Sequence, residues 1–256
     1  MTRIQLQIYR DRESLSKAVA EQIVHILVDV IDKQGKFYIV LTGGNTVKGL
    51  YKLLAEPPYF NKIDWRKGFF FWGDERMVSP DDPESNFGQA HHLFLSHFRL
   101  KAENIYRIRG ELKPSDAAQH YQDQLSQNAS EGLAWPRFDL VLLSMGSDGH
   151  VASIFPGEVT ESERNSPVLV THAEYEGRPA QRVSLTPMVF NSSRRVIFLA
   201  VGESKAAALA AVLSGDGDSE LYPALRIQPD CGEVTWFVDE AAASLLPKEL
   251  QAQNLR

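Results

Sequence analysis

The chain has 256 residues, 43% of them hydrophobic, enough to bury a sizeable core. Its formal charge of -6 argues against general affinity for nucleic acid or acidic membranes, while leaving room for a local basic pocket. The single cysteine, Cys231, excludes an internal disulfide or a multi-cysteine zinc site, and in Pro229-Asp230-Cys231-Gly232 it reads as a surface or structural thiol.

Ile4, Leu6 and Ile8 alternate with polar residues, which predicts a first strand rather than the apolar run of a secretory signal. Leu15, Val19, Ile23, Ile26, Leu27 and Val30 follow at helical spacing, with Asp11 to cap the helix and Gly35 to end it. Phe37 to Leu41 is a short continuous apolar run, as in a buried parallel strand. Thr42 to Thr46 turns the chain into a helix from Val47 to Ala55, which Pro57 and Pro58 stop. Phe69 to Trp72 predicts a buried strand, followed by a long polar loop and a helix from about Phe87 to Phe98. Pro114 opens another helix, reaching about Gln127. Phe138 to Met145 and Arg195 to Val201 read as strands, Ser204 to Leu213 as an alanine-rich helix, and Val234 to Val238 as the last strand, with a helix beginning near Asp239. Asn128 to Trp135 and Glu158 to Ser166 read as exposed loops.

This alternation predicts a single α/β domain over residues 1–256: a mostly parallel, Rossmann-like doubly wound sheet with helices on both faces. No segment reaches the ~20 apolar residues of a membrane span. The chain therefore reads as soluble and cytoplasmic, and the sequons at Asn128 and Asn191 as chance matches.

In such sheets ligands sit beyond the carboxyl ends of the strands, where three loops are rich in reactive groups. Gly43 and Gly44, before a helix start, read either as a plain turn or as a backbone cradle for an anion; neither a Walker nor a dinucleotide spacing is present. Asp74-Glu75-Arg76 leaves a strand of aromatics, so its charges need partners; Arg76 reads either as an ion pair with a nearby carboxylate or as an anion ligand. Asp81, Asp82 and Glu84 read as a solvated acidic face rather than metal ligands. In Gly146-Ser147-Asp148-Gly149-His150, the histidine lies just past a buried strand, with Asp148 two residues away to orient it. An imidazole titrating near pH ~6.5 suits a general base, although a structural histidine is the plainer alternative. His25, His91, His92, His97, His120 and His172 read as helix-surface or loop residues. Lys205, at a helix start where the dipole disfavours a cation, makes sense beside an anion or as an exposed side chain.

Together these pieces resemble the 6-phosphogluconolactonase family, in order and over nearly the whole chain. The resemblance rests on the Gly43-Gly44 loop, on Asp74-Glu75-Arg76 with Val78, Pro80, Ser85 and Asn86, and on Gly146 to His150 running to Phe155-Pro156-Gly157. It extends to Arg182 through Thr186, Lys205, and the segment from Pro223-Ala224 to Trp236-Phe237-Val238-Asp239. It implies hydrolysis of 6-phospho-D-glucono-1,5-lactone in the pentose phosphate pathway, with His150 as base on water and Asp148 orienting it. Substrate would be held by Gly43, Gly44, Asn45, Thr46, Asp74, Arg76, Gly149, Arg182 and Lys205. The expected partner is a small sugar-phosphate lactone; no metal, cofactor, nucleic acid or membrane is expected, and oligomeric state is left open.

Thr42, Asn45 and Val47 depart from the family's usual serine, serine and proline, Ser144 from its glycine, and Val151 from its threonine. The rival readings are a related glucosamine-6-phosphate deaminase/isomerase and a non-catalytic sugar-phosphate sensor. The deaminase pattern places Asn before Gly-His, where this chain has Asp148, and a tyrosine after Asp-Glu, where it has Arg76. A sensor should lack the base or carry an extra DNA-binding segment.

Overall fold

The computed structural model describes residues 3–175, 177–215 and 217–254. Among them seven parallel strands form the central sheet, here numbered in chain order. From edge to edge they are β1 (Arg3–Tyr9), β10 (Glu233–Asp239), β9 (Arg195–Ala200), β6 (Leu140–Ser144), β2 (Phe37–Leu41), β3 (Gly68–Trp72) and β5 (Ile105–Tyr106). The inner strands β9, β6, β2 and β3 are nearly all buried, which explains why they read as unbroken apolar runs rather than alternating ones.

Helices cover both faces, and β3 shows how. Successive side chains of a strand point to opposite faces. Phe70 meets Phe94, at the end of α3 (Asn86–Leu93), with ring centroids 6.5 Å apart. Phe71 meets Tyr121 of α4 (Pro114–Gln127), also at 6.5 Å. Beside α3 lies α2 (Lys48–Leu54), and beside α2 lies α1 (Arg12–Gln34). As expected, Asp11 caps α1, accepting the Ser14 N–H at 2.8 Å, and Gly35 ends it in the left-handed region at φ 74. No helix among the described residues is long and apolar enough to cross a membrane.

Several expectations need correction. The polar stretch after Trp72 is not all loop: Asp74–Arg76 forms β4, which pairs antiparallel with β8 (Gln181–Leu185), itself paired with β7 (Val168–His172). His172 therefore lies on a strand. The helix expected to Phe98 ends at Leu93, because Phe94 leaves helical geometry to bury its ring against Tyr51, Trp65 and Phe70; a 3-10 turn, Leu95–His97, follows. Glu158 to Ser166 contains a short helix, α5 (Glu161–Asn165), whose buried Glu163 pairs with Arg226 at 3.0 Å. Just after Thr186, where the sequence also reads as a short helical stretch, α6 (Pro187–Asn191) lies between β8 and β9. The alanine-rich helix α7 (Ala206–Leu213) starts after a 3-10 turn at Glu203–Lys205. No helix begins at Asp239: its carboxylate accepts the N–H groups of Gly202 and Ala242, the chain continues in turns, and α8 (Lys248–Asn254) starts later.

Candidate active site

From β2 the chain steps outward to β3 and β5, then returns to β6 and proceeds the other way through β9 to β10. The reversal between β2 and β6 opens a crevice at the carboxyl edge of the sheet. A cavity of about 300 Å³ lies there, and it draws residues from the loops after β2, β6 and β9 and from β4 and β8. Of the sequence-predicted residues, Gly43, Gly44, Asn45, Thr46, Asp74, Arg76, His150, Arg182 and Lys205 line it. A larger cavity of about 520 Å³ lies between α2, α3 and the Pro80–Pro83 loop, away from His150.

The first loop is pinned from below, where the buried Tyr51 hydroxyl donates to the Thr42 carbonyl at 2.5 Å. Asn86 fills the space that any side chain on Gly43 would need. The following helix, α2, has no side-chain cap at Val47, so its first N–H groups lack that partner.

The Asp74-Glu75-Arg76 segment carries charge into the site through paired backbone. Arg76 stands directly opposite Arg182 across the β4–β8 ladder. Residues so opposed share a face, and two like charges there repel. Arg182 is buried, and burial, followed by the Arg76 charge, holds its pKa below the ordinary guanidinium range. Arg76 does make the ion pair foreseen for it, from Nη1 to Glu84 at 3.2 Å, yet its Nε is buried without a partner among the described residues. Glu75 is spent inside the fold: it accepts from the N–H groups of Arg76, Asn86 and Phe87 and from the Ser85 hydroxyl. Burial pushes it up to about 7, against the pull of those N–H groups. Asp74 is committed too, with one oxygen taking the Asn86 amide at 3.0 Å and the other the Ser153 hydroxyl at 2.6 Å. It reaches the cavity wall while tying three loops together.

The third loop presents His150. Its Nδ1 lies 2.5 Å from Asp148 Oδ1, which also takes the His150 backbone N–H at 3.2 Å. Asp148 stands behind the ring and off the cavity wall. Its burial would raise its pKa. The hydrogen bond and charge of His150, the Tyr175 hydroxyl and the backbone N–H together hold it well below the usual carboxylate range. An ionised Asp148 requires the proton on Nδ1, which leaves Nε2 as the basic nitrogen. Gly149 also lies off the wall: at φ 79 it turns the chain, and a side chain there would strike Tyr222. Lys205 sits half-buried at the start of α7, where burial lowers its pKa and the Asp148 charge draws it back up.

The sequence reading missed Arg12, Arg178 and Asn86 on this wall. It also missed Tyr175, whose hydroxyl donates to Asp148 Oδ2 at 2.6 Å and lies 2.9 Å from His150 Nδ1. Asn86 belongs with the Asp74-Glu75-Arg76 motif, and its place after Ser85 at a helix start is the signal that marks it. Arg178 and Tyr175 lie in a connection without periodicity, which gave none. Among the described residues no three His, Cys, Asp or Glu side chains converge as metal ligands.

Residues 10–236 match the family described as glucosamine-6-phosphate isomerases/6-phosphogluconolactonase. A 6-phosphogluconolactonase of Aggregatibacter actinomycetemcomitans is 41% identical over 209 residues, 82% of this chain and 87% of that one. One from Haemophilus influenzae is 39% identical over the same shares. The solved 6-phosphogluconolactonase of Trypanosoma brucei superposes with a TM-score of 0.82 at 29% identity, covering 96% of this chain and all (100%) of that one.

The chain belongs to the glucosamine-6-phosphate isomerase/6-phosphogluconolactonase family.

Within that family its departures fall unevenly around the site. Val151 is fully buried, so its missing hydroxyl takes nothing from the cavity wall. Ser144, by contrast, lies on the wall at the end of β6, with its hydroxyl oxygen buried and without a partner among the described residues. Asn45 also lies on the wall, while Val47 is packed into the core.

Proposed function

We propose that this chain hydrolyses 6-phospho-D-glucono-1,5-lactone to 6-phosphogluconate, a step of the pentose phosphate pathway, with a water activated by His150 and without a metal. The observation that carries the reading is His150, paired through Nδ1 with Asp148, facing a cavity whose wall sets Arg76 directly across from Arg182. The opposed guanidinium groups call for a bound anion, and the imidazole for a proton to move. The names borne by the bacterial relatives point to the lactone as the molecule that offers both.

In this mechanism the substrate phosphate lies against Arg76, Arg182 and Lys205, with N–H groups of the Gly43-Gly44 loop and of Asn45 and Thr46 beside it. Arg12 and Arg178 add positive charge to the same wall. Water attacks the lactone carbonyl carbon while its proton passes to His150 Nε2, and the carbonyl π electrons move to oxygen. Collapse of the tetrahedral adduct breaks the bond from that carbon to the ring oxygen, which takes the proton back from the imidazolium. One water is consumed, and the base returns to its starting state. Asp74 and Gly149 serve by shaping the loops, Asp74 through its bonds to Asn86 and Ser153 and Gly149 through its turn.

The reading is tested by assaying purified protein on freshly made 6-phospho-D-glucono-1,5-lactone, with spontaneous hydrolysis subtracted, beside unphosphorylated glucono-1,5-lactone. Rapid turnover of the first and poor turnover of the second is expected. Equal efficiency on both would overturn the assignment.

A further inference from the structure

We propose that Tyr175 is a positioning residue for the base: its hydroxyl fixes the Asp148 carboxylate, and through it the His150 ring, so that it governs kcat rather than substrate affinity. The inference rests on the reading of His150 as general base.

Both Asp148 oxygens are occupied, and from different elements. Oδ1 takes His150 Nδ1 and the His150 backbone N–H; Oδ2 takes the Tyr175 hydroxyl at 2.6 Å. A phenol has one proton to give. With that proton on Oδ2, the oxygen presents only lone pairs to His150 Nδ1, 2.9 Å away. The Nδ1 proton then lies between two acceptors, which favours the tautomer whose Nε2 is basic.

The rings reinforce the arrangement. Phe155 packs on His150 at 5.3 Å and on Tyr175 at 5.7 Å between centroids, and the last pair are themselves 5.7 Å apart. Tyr175 belongs to the connection between β7 and β8. That connection is closed at its base by the Ala173 N–H on the Ala180 carbonyl at 2.8 Å and turned by the Arg178 N–H on the Tyr175 carbonyl at 3.3 Å. The same hairpin brings Arg182 to the cavity, whereas Tyr175 is not on the cavity wall. It touches Asp148 and His150 from outside that wall.

Apart from Asp148, the charged groups around His150 are mostly cationic. Arg178 and Arg182 come from the hairpin, Lys205 from the start of α7, Arg76 from β4 and Arg12 from α1. Asp74 is the exception, and its oxygens are held by Asn86 and Ser153. The hydrogen bond of the Tyr175 hydroxyl goes to Asp148 rather than to any of these groups, so a shift in the pH profile reports on that carboxylate.

The test is Tyr175→Phe, which keeps the ring on Phe155. The kcat for the phosphorylated lactone is expected to fall on the order of ten-fold, as when a hydrogen bond orienting an active-site histidine is lost, with KM within about two-fold. The acid limb of kcat should move to higher pH, because Asp148, short of one donor, holds the imidazolium more tightly. In an Asp148→Asn background, Tyr175→Phe should cost less than about two-fold, since the path through the carboxylate is already broken. A wild-type kcat and acid limb, a change confined to KM, or an undiminished loss in the Asp148→Asn background would each overturn the proposal. His150→Ala assayed alongside separates the causes. Near-normal kcat in that variant defeats the base itself, and this proposal with it. An inactive His150→Ala beside an unchanged Tyr175→Phe defeats the Tyr175 proposal alone.

Discussion

Arg76 and Arg182, set opposite each other across β4 and β8, give the site its cationic character, and Lys205 completes it from the start of α7. Lys205→Ala is expected to weaken binding of the phosphorylated substrate by roughly 1.5–3 kcal/mol, the range for one charged hydrogen bond, with kcat little changed. Competition by 6-phosphogluconate would measure it, and an unaltered inhibition constant would remove Lys205 from the phosphate site. Asp148 makes a prediction about stability. Although burial opposes it, its hydrogen bonds and the His150 charge depress its pKa in the fold. The stability it contributes is therefore present above the ordinary carboxylate pKa of about 3.9 and lost as pH falls through the depressed value. The gap in unfolding free energy between wild type and Asp148→Asn should be present above pH ~4 and shrink as pH falls below it. A gap that widens as pH falls below ~4 would contradict this. His150 and Lys205 were legible in the sequence because each stands just past a buried strand. Tyr175 was not, since the pairing that carries it to Asp148 joins residues 27 positions apart.

The strands that build the crevice were legible for a physical reason: β2, β3, β6 and β9 are covered on both faces over nearly their whole length and so read as apolar runs. The small sheet was not. Its strands, Asp74–Arg76, Val168–His172 and Gln181–Leu185, are short and partly polar, and they exist because they pair with one another. Capping was visible at α1 through Asp11 and Gly35, whereas the end of α3 was set by where Phe94 could bury its ring. Glu75 holds the junction of these elements, since three of its four hydrogen bonds, from Ser85, Asn86 and Phe87, fasten β4 to the start of α3. Glu75→Ala would leave those buried donors without an acceptor and is expected to cost about 2–4 kcal/mol of stability. Urea unfolding at an unchanged m-value would register it as a lower midpoint. A loss below about 0.5 kcal/mol would show that the junction does not depend on this carboxylate.

One hydrophobic cluster runs from Ile8 through the central strands to Leu246, with Val168, Val183 and Leu185 of the small sheet joined to it. We read the chain as one folding unit on that basis, and a single cooperative transition by fluorescence and circular dichroism together is expected. Non-coincident transitions would divide it. No set of metal ligands converges among the described residues, so hydrolysis is expected to survive EDTA. Loss of turnover on chelation, restored by a divalent ion, would contradict the metal-free step. The direct measurement is kcat of His150→Ala on 6-phospho-D-glucono-1,5-lactone, with the spontaneous reaction subtracted and 6-phosphogluconate binding measured beside it. A fall of about 10²–10⁴-fold with product affinity nearly unchanged is predicted, because the phosphate is held by other residues. A variant with near-wild-type kcat would contradict the account.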